Sequence, residues 1–257
     1  MIQSLRVVEA NARVYKRTWQ GSAVTAFLNP VLFLLAMGFG LGSIIDRNPA
    51  TDSLGGVEYV SFIASGLMAA TAMQTGAVEG SWPVLAGIKW QKTYHAALAT
   101  PVRVGDLVTG NMLWMGVRVA LAAVAFAIVS AVLGVLAPLE VLAALPAAIL
   151  TGMAFAAPVT AYTAIAKDET RLAGVFRFAI LPMFLFSGTF FPIDQLPEWL
   201  QPVAFVTPLW HGVELCRAAA IGFATTLSPA LHLAYLGLWT TVGWWFAQRN
   251  LQRRLRP

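Results

Sequence analysis

The fold is decided by residues 186–222, FSGTFFPIDQLPEWLQPVAFVTPLWHGVELCRAAAIG, which are apolar enough to lie in a membrane and yet contain prolines at positions 192, 197, 202 and 208. Each proline removes a backbone donor and clashes with the preceding helical turn, so this stretch cannot form one continuous membrane helix. Non-helical backbone persists at membrane depth only where it is buried in protein or lines a wet cavity. The stretch therefore predicts a short broken hairpin near one membrane face, or a segment just outside the membrane.

The composition indicates that lipid solvates most of the chain. Of its 257 residues, 58% are hydrophobic and only 11% are charged, whereas a soluble domain carries about a quarter charged residues. The net charge of +5 then reflects Lys and Arg that flank membrane spans. These basic residues are scattered between apolar runs and form no patch, so no nucleic-acid partner is expected. We therefore expect an all-α integral membrane protein.

Six apolar segments have the length of a membrane helix, which is about 20 residues. They are residues 22–45, 59–80, 106–136, 141–166, 172–191 and 229–246. We also predict an N-terminal amphipathic helix at 1–20, a helix at 82–100 between the second and third spans, and the broken hairpin at 192–222 between the fifth and sixth spans. All of these elements belong to a single transmembrane domain that covers residues 1–257.

Two pairs of glycines occur at GxxxG spacing within the predicted spans. Gly38 and Gly42 lie late in the first span, and Gly76 and Gly80 lie at the end of the second. Glycines four residues apart lie on one helical face and let a second membrane helix approach closely. The spacing therefore predicts close helix contacts at both places.

The distribution of Lys and Arg orients the predicted spans. With the N-terminus inside, the inner segments contain Arg6, Arg13, Lys16, Arg17, Lys89, Lys92, Arg103, Lys167, Arg171, Arg249, Arg253, Arg254 and Arg256. The outer segments contain Arg47 and Arg217. Because Lys and Arg are enriched in cytoplasmic segments, we predict that both termini are cytoplasmic and that the hairpin lies at the outer face.

Glu79, Arg118 and Arg177 are the intramembrane charged residues that the prediction singles out. Glu79 is near the end of the second span, and Arg118 and Arg177 lie near the cytoplasmic ends of the third and fifth. Charges at membrane depth are candidate functional residues. We expect both arginines to snorkel to the lipid headgroups, with a contact to a substrate as the alternative.

The hairpin carries a polar cluster in its last segment. His211, Glu214 and Arg217 are spaced three residues apart on one helical face, so Glu214 and Arg217 can form an ion pair. This pair would make a shallow re-entrant helix tolerable, and the cluster could also meet a polar group of a substrate. The surrounding aromatic residues are typical of an interfacial belt, with a stacking surface for sugars as the alternative. They are Phe184, Phe186, Phe190, Phe191, Trp199, Phe205 and Trp210.

The sequence contains no pattern typical of an enzyme. The three histidines lie in separate segments without HxxxH or HExxH spacing, and no P-loop of the GxxxxGKS type is present. The single cysteine, Cys216, excludes an intrachain disulfide and a multi-cysteine metal site. We therefore expect no catalytic residue, no metal and no nucleotide site in this chain. A passive anchor is also disfavoured, because it would not need a broken hairpin at membrane depth.

Short motifs spread along nearly the whole chain resemble the permease subunits of the ABC-2 family, most closely the Nod-factor (lipo-oligosaccharide) export permeases. In chain order they are PVLF at 30–33, GFGLG at 38–42, YVSFIASGLMAATAM at 59–73, TYHAALATP at 93–101, GD at 105–106, FSG at 186–188 with Pro192, LP at 196–197, and PLWH at 208–211 with Leu215, Arg217 and Gly222. The daunorubicin-resistance permeases share the same outline, with a similar proline-broken stretch.

The resemblance implies a complete exporter of the type V ABC class in the bacterial cytoplasmic membrane. Two permease chains would form a pathway at their interface, as a homodimer or, alternatively, as a pair of different permeases. Two separate ABC ATPase subunits would bind ATP and Mg and hydrolyse ATP, so this chain would need no cofactor. The cargo would be an amphipathic glycolipid or lipid-linked oligosaccharide, with efflux of a drug or antibiotic as the alternative.

The resemblance also implies roles for individual residues. The helix at 82–100 would be a coupling helix seated in the ATPase, and residues 1–20 would form an interface helix beside it. The coupling residues would be Lys89, Trp90, Lys92, Tyr94, Thr100 and Pro101, with the side chains of Trp90 and Tyr94 exposed. The hairpin would form two short re-entrant helices that close the exit. Its gate residues would be Phe191, Pro192, Trp199, His211, Glu214 and Arg217.

Overall fold

A computed structural model describes residues 2–41 and 57–255, which are largely helical and contain no strand, so the all-helical class is confirmed for this part of the chain. Its α-helices are α1 (Ile2–Phe33), α2 (Tyr59–Leu85), α3 (Thr93–Leu98), α4 (Val104–Val132), α5 (Pro138–Thr163), α6 (Glu169–Val175), α7 (Leu181–Phe186), α8 (Gln201–Val206), α9 (Pro208–Ile221) and α10 (Pro229–Leu255). Three π-helical segments, Leu34–Leu41, Ala86–Trp90 and Phe176–Ile180, continue α1, α2 and α6, and a short 3-10 helix covers Ile193–Gln195. Gly42, Arg47 and Arg256 lie outside the described residues.

Helix α1 joins two elements that the sequence predicts separately. The interface helix expected at residues 1–20 and the span expected from residue 22 are parts of one helix of 32 residues. Gly21 does not interrupt it, because a single glycine costs a helix only about 1 kcal/mol relative to alanine. At a rise of 1.5 Å per residue, α1 is roughly 48 Å long, which exceeds the ~30 Å hydrocarbon core of a bilayer. Only part of α1 can therefore lie within the membrane.

The long helices define a bundle with two distinct ends. At one end, Arg254 of α10 donates hydrogen bonds to the carbonyls of Thr163 and Ala166, at 3.0 and 2.8 Å. At the other end, Ser61 near the start of α2 donates to the carbonyl of Val135 at 2.8 Å. We call them the basic end (residues 85–103, 163–169 and 248–255) and the hairpin end (residues 132–138 and 186–229).

Both described ends of the chain lie at the basic end. Ser4 of α1 donates to the carboxylate of Asp106 at the start of α4, at 3.3 Å. Gln248 and Gln252 of α10 line the same surface cavity as Ser4. Helices α1 and α10 therefore begin and end, respectively, on the same side of the bundle.

Helix α10 is longer than the span predicted at 229–246. The residues expected to form a basic tail continue the helix to Leu255. They do so because Leu251 and Leu255 are buried against the bundle and because Arg254 satisfies carbonyls that the end of α5 leaves without helical partners. The tail is therefore a structural part of the fold.

Helices α2 and α5 cross with their backbones in contact. A Cβ added to Gly76 would lie 2.0 Å from the carbonyl oxygen of Gly152, and one added to Gly80 would lie 2.6 Å from that of Ala156. Gly152 in turn is covered by the side chain of Val119 of α4. The close contact predicted from the Gly76 and Gly80 spacing is confirmed.

Three of the described helices are long and apolar enough to cross a membrane, by length and composition. They are Gln3–Met37, which includes part of the π-helix after α1, Val104–Val132 and Pro138–Thr163. The length and composition of these helices are those of a membrane protein. The number of six spans and the cytoplasmic position of the termini stay predictions.

Several element boundaries differ from the prediction, each for a local reason. The span expected at 172–191 ends with α7 at Phe186, because Gly188 adopts a φ of +81° that a helix cannot continue. The span expected at 141–166 begins earlier, because Pro138 is suited to the first turn of a helix. Likewise, α4 ends before residue 136 and is followed by Gly134 with a φ of +69°.

Gly76→Ala is expected to destabilise the bundle, because α2 and α5 would have to separate to admit the new methyl group. Overpacking of this kind costs about 1–3 kcal/mol. Gly237→Ala in α10 is the matched control, since no atom of another helix lies within 4 Å of its added Cβ. Thermal unfolding in detergent should show a lower midpoint for Gly76→Ala alone; equal midpoints for the two variants would contradict the proposed contact.

Candidate transport sites

A polar groove of about 260 Å³ lies between α1, α2 and α4. Its polar lining comes from all three helices, although each lies within an apolar segment. The residues that supply it are Tyr15, Ser22, Thr25 and Asn29 of α1, Thr71, Gln74, Thr75 and Glu79 of α2, and Arg118 of α4. The groove therefore combines hydrogen-bonding groups with helices whose composition suits a membrane.

Arg118 and Glu79 form an ion pair inside this groove. The Nε of Arg118 donates to Oε1 of Glu79 at 2.8 Å, and its Nη2 donates to Oγ of Ser22 at 3.3 Å. Its guanidinium also lies 4.4 Å from the centroid of the Tyr15 ring. The side chains of Arg118 and Glu79 are only 19% and 12% exposed. Arg118 thus has a counter-charge from a carboxylate on the adjacent helix, and its contact with lipid headgroups stays a prediction.

The ion pair determines what the groove can accommodate. A charge in a low-dielectric environment is tolerated when it is paired and hydrogen-bonded, so the groove has no net charge from Glu79 and Arg118 together. The apolar part of its lining includes Phe33, Leu67 and Phe126. The groove can therefore contact both a hydroxyl-bearing group and an apolar chain.

Polar contacts hold α1 against α4 along the same side of the bundle. Nδ2 of Asn11 donates to Oδ1 of Asn111 at 3.0 Å. One turn further along α1, the rings of Tyr15 and Trp114 meet edge to face, with centroids 5.7 Å apart. The amphipathic part of α1 thus packs against another helix with its polar side chains.

Arg177, the third predicted intramembrane residue, is separate from the groove. Its side chain is exposed and lies in the π-helix Phe176–Ile180. It makes no hydrogen bond or ion pair with any residue that the structure describes. Its contact with lipid headgroups stays a prediction.

The basic end carries a broken helix where a single coupling helix is predicted. Helix α2 ends at Leu85, its π-helical continuation ends at Trp90, and α3 begins only at Thr93. Between them, Lys92 has a left-handed φ of 54°, which a residue with a side chain rarely adopts. The prediction of one helix over 82–100 is therefore wrong.

Tyr94 is buried, whereas the sequence predicted an exposed ring. A Cβ added to Gly87 would lie 2.7 Å from Cε1 of Tyr94, so the ring occupies the space that a side chain at Gly87 would fill. The turn at Lys92 causes this burial, because it folds α3 back against the π-helix. Burial also raises the pKa of the Tyr94 hydroxyl. Tyr94 therefore stabilises the turn from within.

The other predicted coupling residues form an exposed surface at the basic end. The side chains exposed there include those of Lys92, Thr100, Pro101 and, at 54%, Trp90. Lys89 donates to the carboxylate of Glu169 at 3.2 Å, which links this surface to the start of α6. An exposed indole beside two lysines suits contact with another protein, because Trp is enriched in interfaces.

Arg217 is buried at the hairpin end and fixes the turn after α7. Its Nη2 donates to the carbonyl of Gly188 at 2.8 Å and to that of Thr189 at 3.4 Å. The guanidinium lies 3.7 Å from the centroid of the Phe62 ring of α2. Gly66 permits this approach, because an added Cβ there would lie 2.7 Å from the carbonyl oxygen of Thr189. Arg217 thus satisfies backbone carbonyls that would otherwise be buried without a donor.

Glu214 has a different partner from the one predicted. Its Oε2 accepts a hydrogen bond from the backbone N–H of Thr226 at 2.8 Å. No salt bridge joins Glu214 to Arg217 within the described residues, so the predicted ion pair is wrong. The reason is that each side chain is hydrogen-bonded to backbone of a different segment, Arg217 to the turn at residues 188–189 and Glu214 to the loop before α10.

His211, by contrast, contacts a histidine that is distant in the sequence. The Nδ1 atoms of His211 and His232 are 2.8 Å apart, and both side chains are buried. The His211 ring also stacks on Tyr235, with centroids 3.9 Å apart. This contact connects α9 to α10. No sequence signal pointed to it, because the two residues lie in separate segments without a helical spacing.

The remaining predicted gate residues lie at the rim of the hairpin. Phe191 and Pro192 are half-buried, and Trp199 is 75% exposed. Phe190, next to Phe191, packs edge to face on Phe184 of α7 at 5.1 Å. Their role as a gate stays a prediction.

Membrane-length apolar helices, a polar groove with a part-buried ion pair and a folded hairpin are together typical of an integral membrane protein. Residues 3–221 match the ABC-2 type transporter family. The chain belongs to that family and is a membrane permease, the transport component of an ABC exporter.

Relatives of known name match almost the entire chain. It is 30% identical to nodulation protein J of Rhizobium meliloti (strain 1021) over 253 residues, which cover 98% of this chain and 94% of that protein. It is 32% identical to nodulation protein J of Rhizobium leguminosarum bv. viciae over 251 residues, with coverage of 98% and 94%. The same protein of Rhizobium leguminosarum bv. trifolii is 32% identical over 241 residues. These similarities confirm the resemblance that the short motifs indicated.

Glu79→Gln is expected to destabilise the protein more than the double variant Glu79→Gln/Arg118→Gln. The single change leaves the cation of Arg118 buried without its counter-charge, which costs on the order of 2–4 kcal/mol, whereas the double change removes both charges. Thermal midpoints of the wild type, both single variants and the double variant give the coupling between the two side chains. Glu9→Gln is the control, because its ion pair with Arg13 is exposed and should contribute under about 1 kcal/mol. Additive effects of the two groove variants would show that the pair is not coupled.

Proposed function

We propose that this chain is the permease of an ATP-driven exporter that moves an amphipathic glycolipid or lipid-linked oligosaccharide outward across the bacterial cytoplasmic membrane. The polar groove carries the proposal, because it offers hydrogen-bonding groups and apolar side chains side by side within one cavity. An amphipathic cargo needs both kinds of contact. The near full-length similarity to nodulation protein J supports export in particular.

Hydroxyl groups of the cargo would interact with the groove through Arg118 and its neighbours. Ser22 and Tyr15 of α1 contact the guanidinium from one side, while Glu79 holds it from the other. A hydroxyl group that enters replaces the contact with Ser22 and leaves the ion pair intact. The cation thus remains compensated at each stage of passage, which keeps the cost of a charge at membrane depth low.

ATP hydrolysis takes place on two partner ATPase subunits, which also bind the Mg, and they contact the basic end of the permease. The exposed side chains of Trp90, Lys89 and Lys92 form the contact surface. Helix α2 and its π-helical continuation run from this surface to Glu79 without an intervening loop. A displacement of Trp90 by the ATPase is therefore transmitted along a rigid helix to the ion pair in the groove.

A second copy of this chain completes the pathway. Helix α1 presents large apolar side chains that are exposed within the described residues, and the groove lies on the flank of the same helix. They include Val24, Phe27, Leu28, Leu32 and Phe33. In a homodimer these side chains pack between the two copies, and membrane lipid covers the exposed apolar residues elsewhere.

Trp90→Ala is expected to weaken binding of the ATPase on the order of 30-fold, because a central exposed Trp is a typical anchor of a protein interface. Leu139→Ala is the control, since this apolar side chain is also exposed but lies next to the hairpin end and is not among the predicted gate residues. Both variants are compared in inside-out vesicles with the ATPase subunit, ATP and a labelled lipo-oligosaccharide. Cargo uptake should fall for Trp90→Ala only. Equal uptake in the two variants would contradict the contact, and uptake of a hydrophobic drug in place of the glycolipid would assign the chain to drug efflux.

The proposed orientation is testable with single cysteines in a Cys216→Ala background. Cys216 is fully buried, so its removal leaves no accessible thiol. A thiol reagent that cannot cross the membrane should label Trp199→Cys in intact cells and Gln91→Cys only after permeabilisation, because the two positions lie at opposite ends of the bundle. The reverse pattern would place the termini outside.

A further inference from the structure

A second cavity, distinct from the polar groove, lies at the hairpin end and measures about 310 Å³. We call it the hairpin pocket. Its size falls at the lower limit of typical small-molecule sites, about 300–1,000 Å³. Segments far apart in the sequence build it: α2 through Phe62, the turn after α7, helices α8 and α9, and the loop before α10.

Aromatic rings form much of the wall of the hairpin pocket. Phe62 and Phe223 meet edge to face with centroids 6.2 Å apart, and Phe205 and Trp210 meet in the same way at 4.8 Å. All four residues line the cavity. Phe62 and Trp210 are at most 2% exposed and support the wall from behind, so a ligand meets the rings of Phe205, which is 36% exposed, and of the half-buried Phe223. Flat apolar ring faces suit a ligand that has an extended apolar face of its own.

The polar groups in the wall are only partly used by the protein. Arg217 is 3% exposed, and all its hydrogen bonds to described residues come from Nη2, so its buried Nε has no acceptor. Glu214 uses Oε2 for the backbone of Thr226, and its Oε1 accepts no hydrogen bond from the described residues. Gln201 donates through Nε2 to a backbone carbonyl, which leaves its side-chain oxygen as an acceptor.

These unused donors and acceptors indicate what kind of ligand the pocket can bind. Buried polar groups without partners are unfavourable, so the pocket is suited to a ligand that supplies both donors and acceptors.

The charges in the wall limit the ligand further. Two carboxylates, Asp194 and Glu214, face one guanidinium, Arg217. An anion such as a phosphate would meet an excess of negative charge and is disfavoured. A neutral ligand whose hydroxyl groups both donate and accept fits the same groups without this repulsion.

We propose that the hairpin pocket binds one neutral pyranose ring of a saccharide. The apolar face of the ring lies on the aromatic wall, and its hydroxyl groups donate to Glu214 and accept from Arg217. The role of this pocket as a contact for cargo rests on the proposed export function, whereas its ligand class is independent of ATP hydrolysis and can be measured by itself.

Binding of soluble saccharides to the full permease in detergent tests the proposal directly. Cellobiose and chitobiose are the probes, because their equatorial substituents leave broad apolar ring faces. Saturation-transfer NMR should show transfer to the ring protons of the wild type. Phe205→Leu, which removes one aromatic wall, and Glu214→Gln, which removes a charged acceptor but keeps its shape, should each weaken binding at least about fivefold. Trp245→Leu is the control, because this exposed indole lies in α10 and does not line the pocket, and it should bind like the wild type.

Three results would overturn the proposal: no transfer to either disaccharide, equal weakening in Phe205→Leu and Trp245→Leu, or tighter binding of glucose 6-phosphate than of glucose. Thermal midpoints of all variants establish that each is folded. ATPase activity and cargo uptake are measured separately from saccharide binding. If the wild type binds saccharide but shows no ATP-driven uptake, the proposed export function is contradicted and the saccharide assignment of the pocket is not. Loss of saccharide binding with intact uptake would contradict the hairpin pocket alone.

Discussion

The bundle depends on close packing of helices around α5. Three helices approach it through glycines: Gly76 of α2, Gly212 of α9 and Gly243 of α10, whose added Cβ atoms would lie 2.0, 2.2 and 2.6 Å from atoms of α5. Lipid tails are as apolar as the side chains, so helices in a membrane associate through close packing and interhelical hydrogen bonds. The position of α5 therefore determines where α2 and α9 lie, and with them the polar groove and the hairpin pocket.

Helix α2 connects the places where chemistry is concentrated. It carries Phe62, on which Arg217 stacks, and Glu79, which pairs with Arg118, and it leads through the π-helix to the exposed Trp90. The two buried arginines are stabilised differently, Arg118 by a carboxylate and Arg217 by carbonyls and an aromatic ring. Both solutions compensate a charge within the bundle, and in each case α2 supplies one contact, Glu79 for Arg118 and the Phe62 ring for Arg217.

Sequence patterns predicted those features that depend on local chemistry. The prolines between residues 186 and 222 predicted a broken hairpin, and the spacing of Gly76 and Gly80 predicted a close helix contact, because both effects follow from the residue itself. The partners of charged side chains were predicted poorly. Glu214 and Arg217 have the spacing of an ion pair but bond to separate segments, since a buried backbone carbonyl or N–H competes for the same side chain. The turn at Lys92 also escaped prediction, because it depends on the packing of Tyr94 over Gly87.

The amino-acid sequence by itself determined that lipid surrounds most of this protein, that its fold is helical and to which family it belongs. It did so because the scarcity of charges excludes a water-exposed surface and because the family motifs extend over nearly the whole chain. Only the tertiary structure decided which polar groups meet: Glu79 with Arg118, His211 with His232, and Arg217 with the turn after α7. These contacts join residues 39, 21 and 29 positions apart in the chain. Such pairings depend on how the helices pack, and no local spacing encodes them.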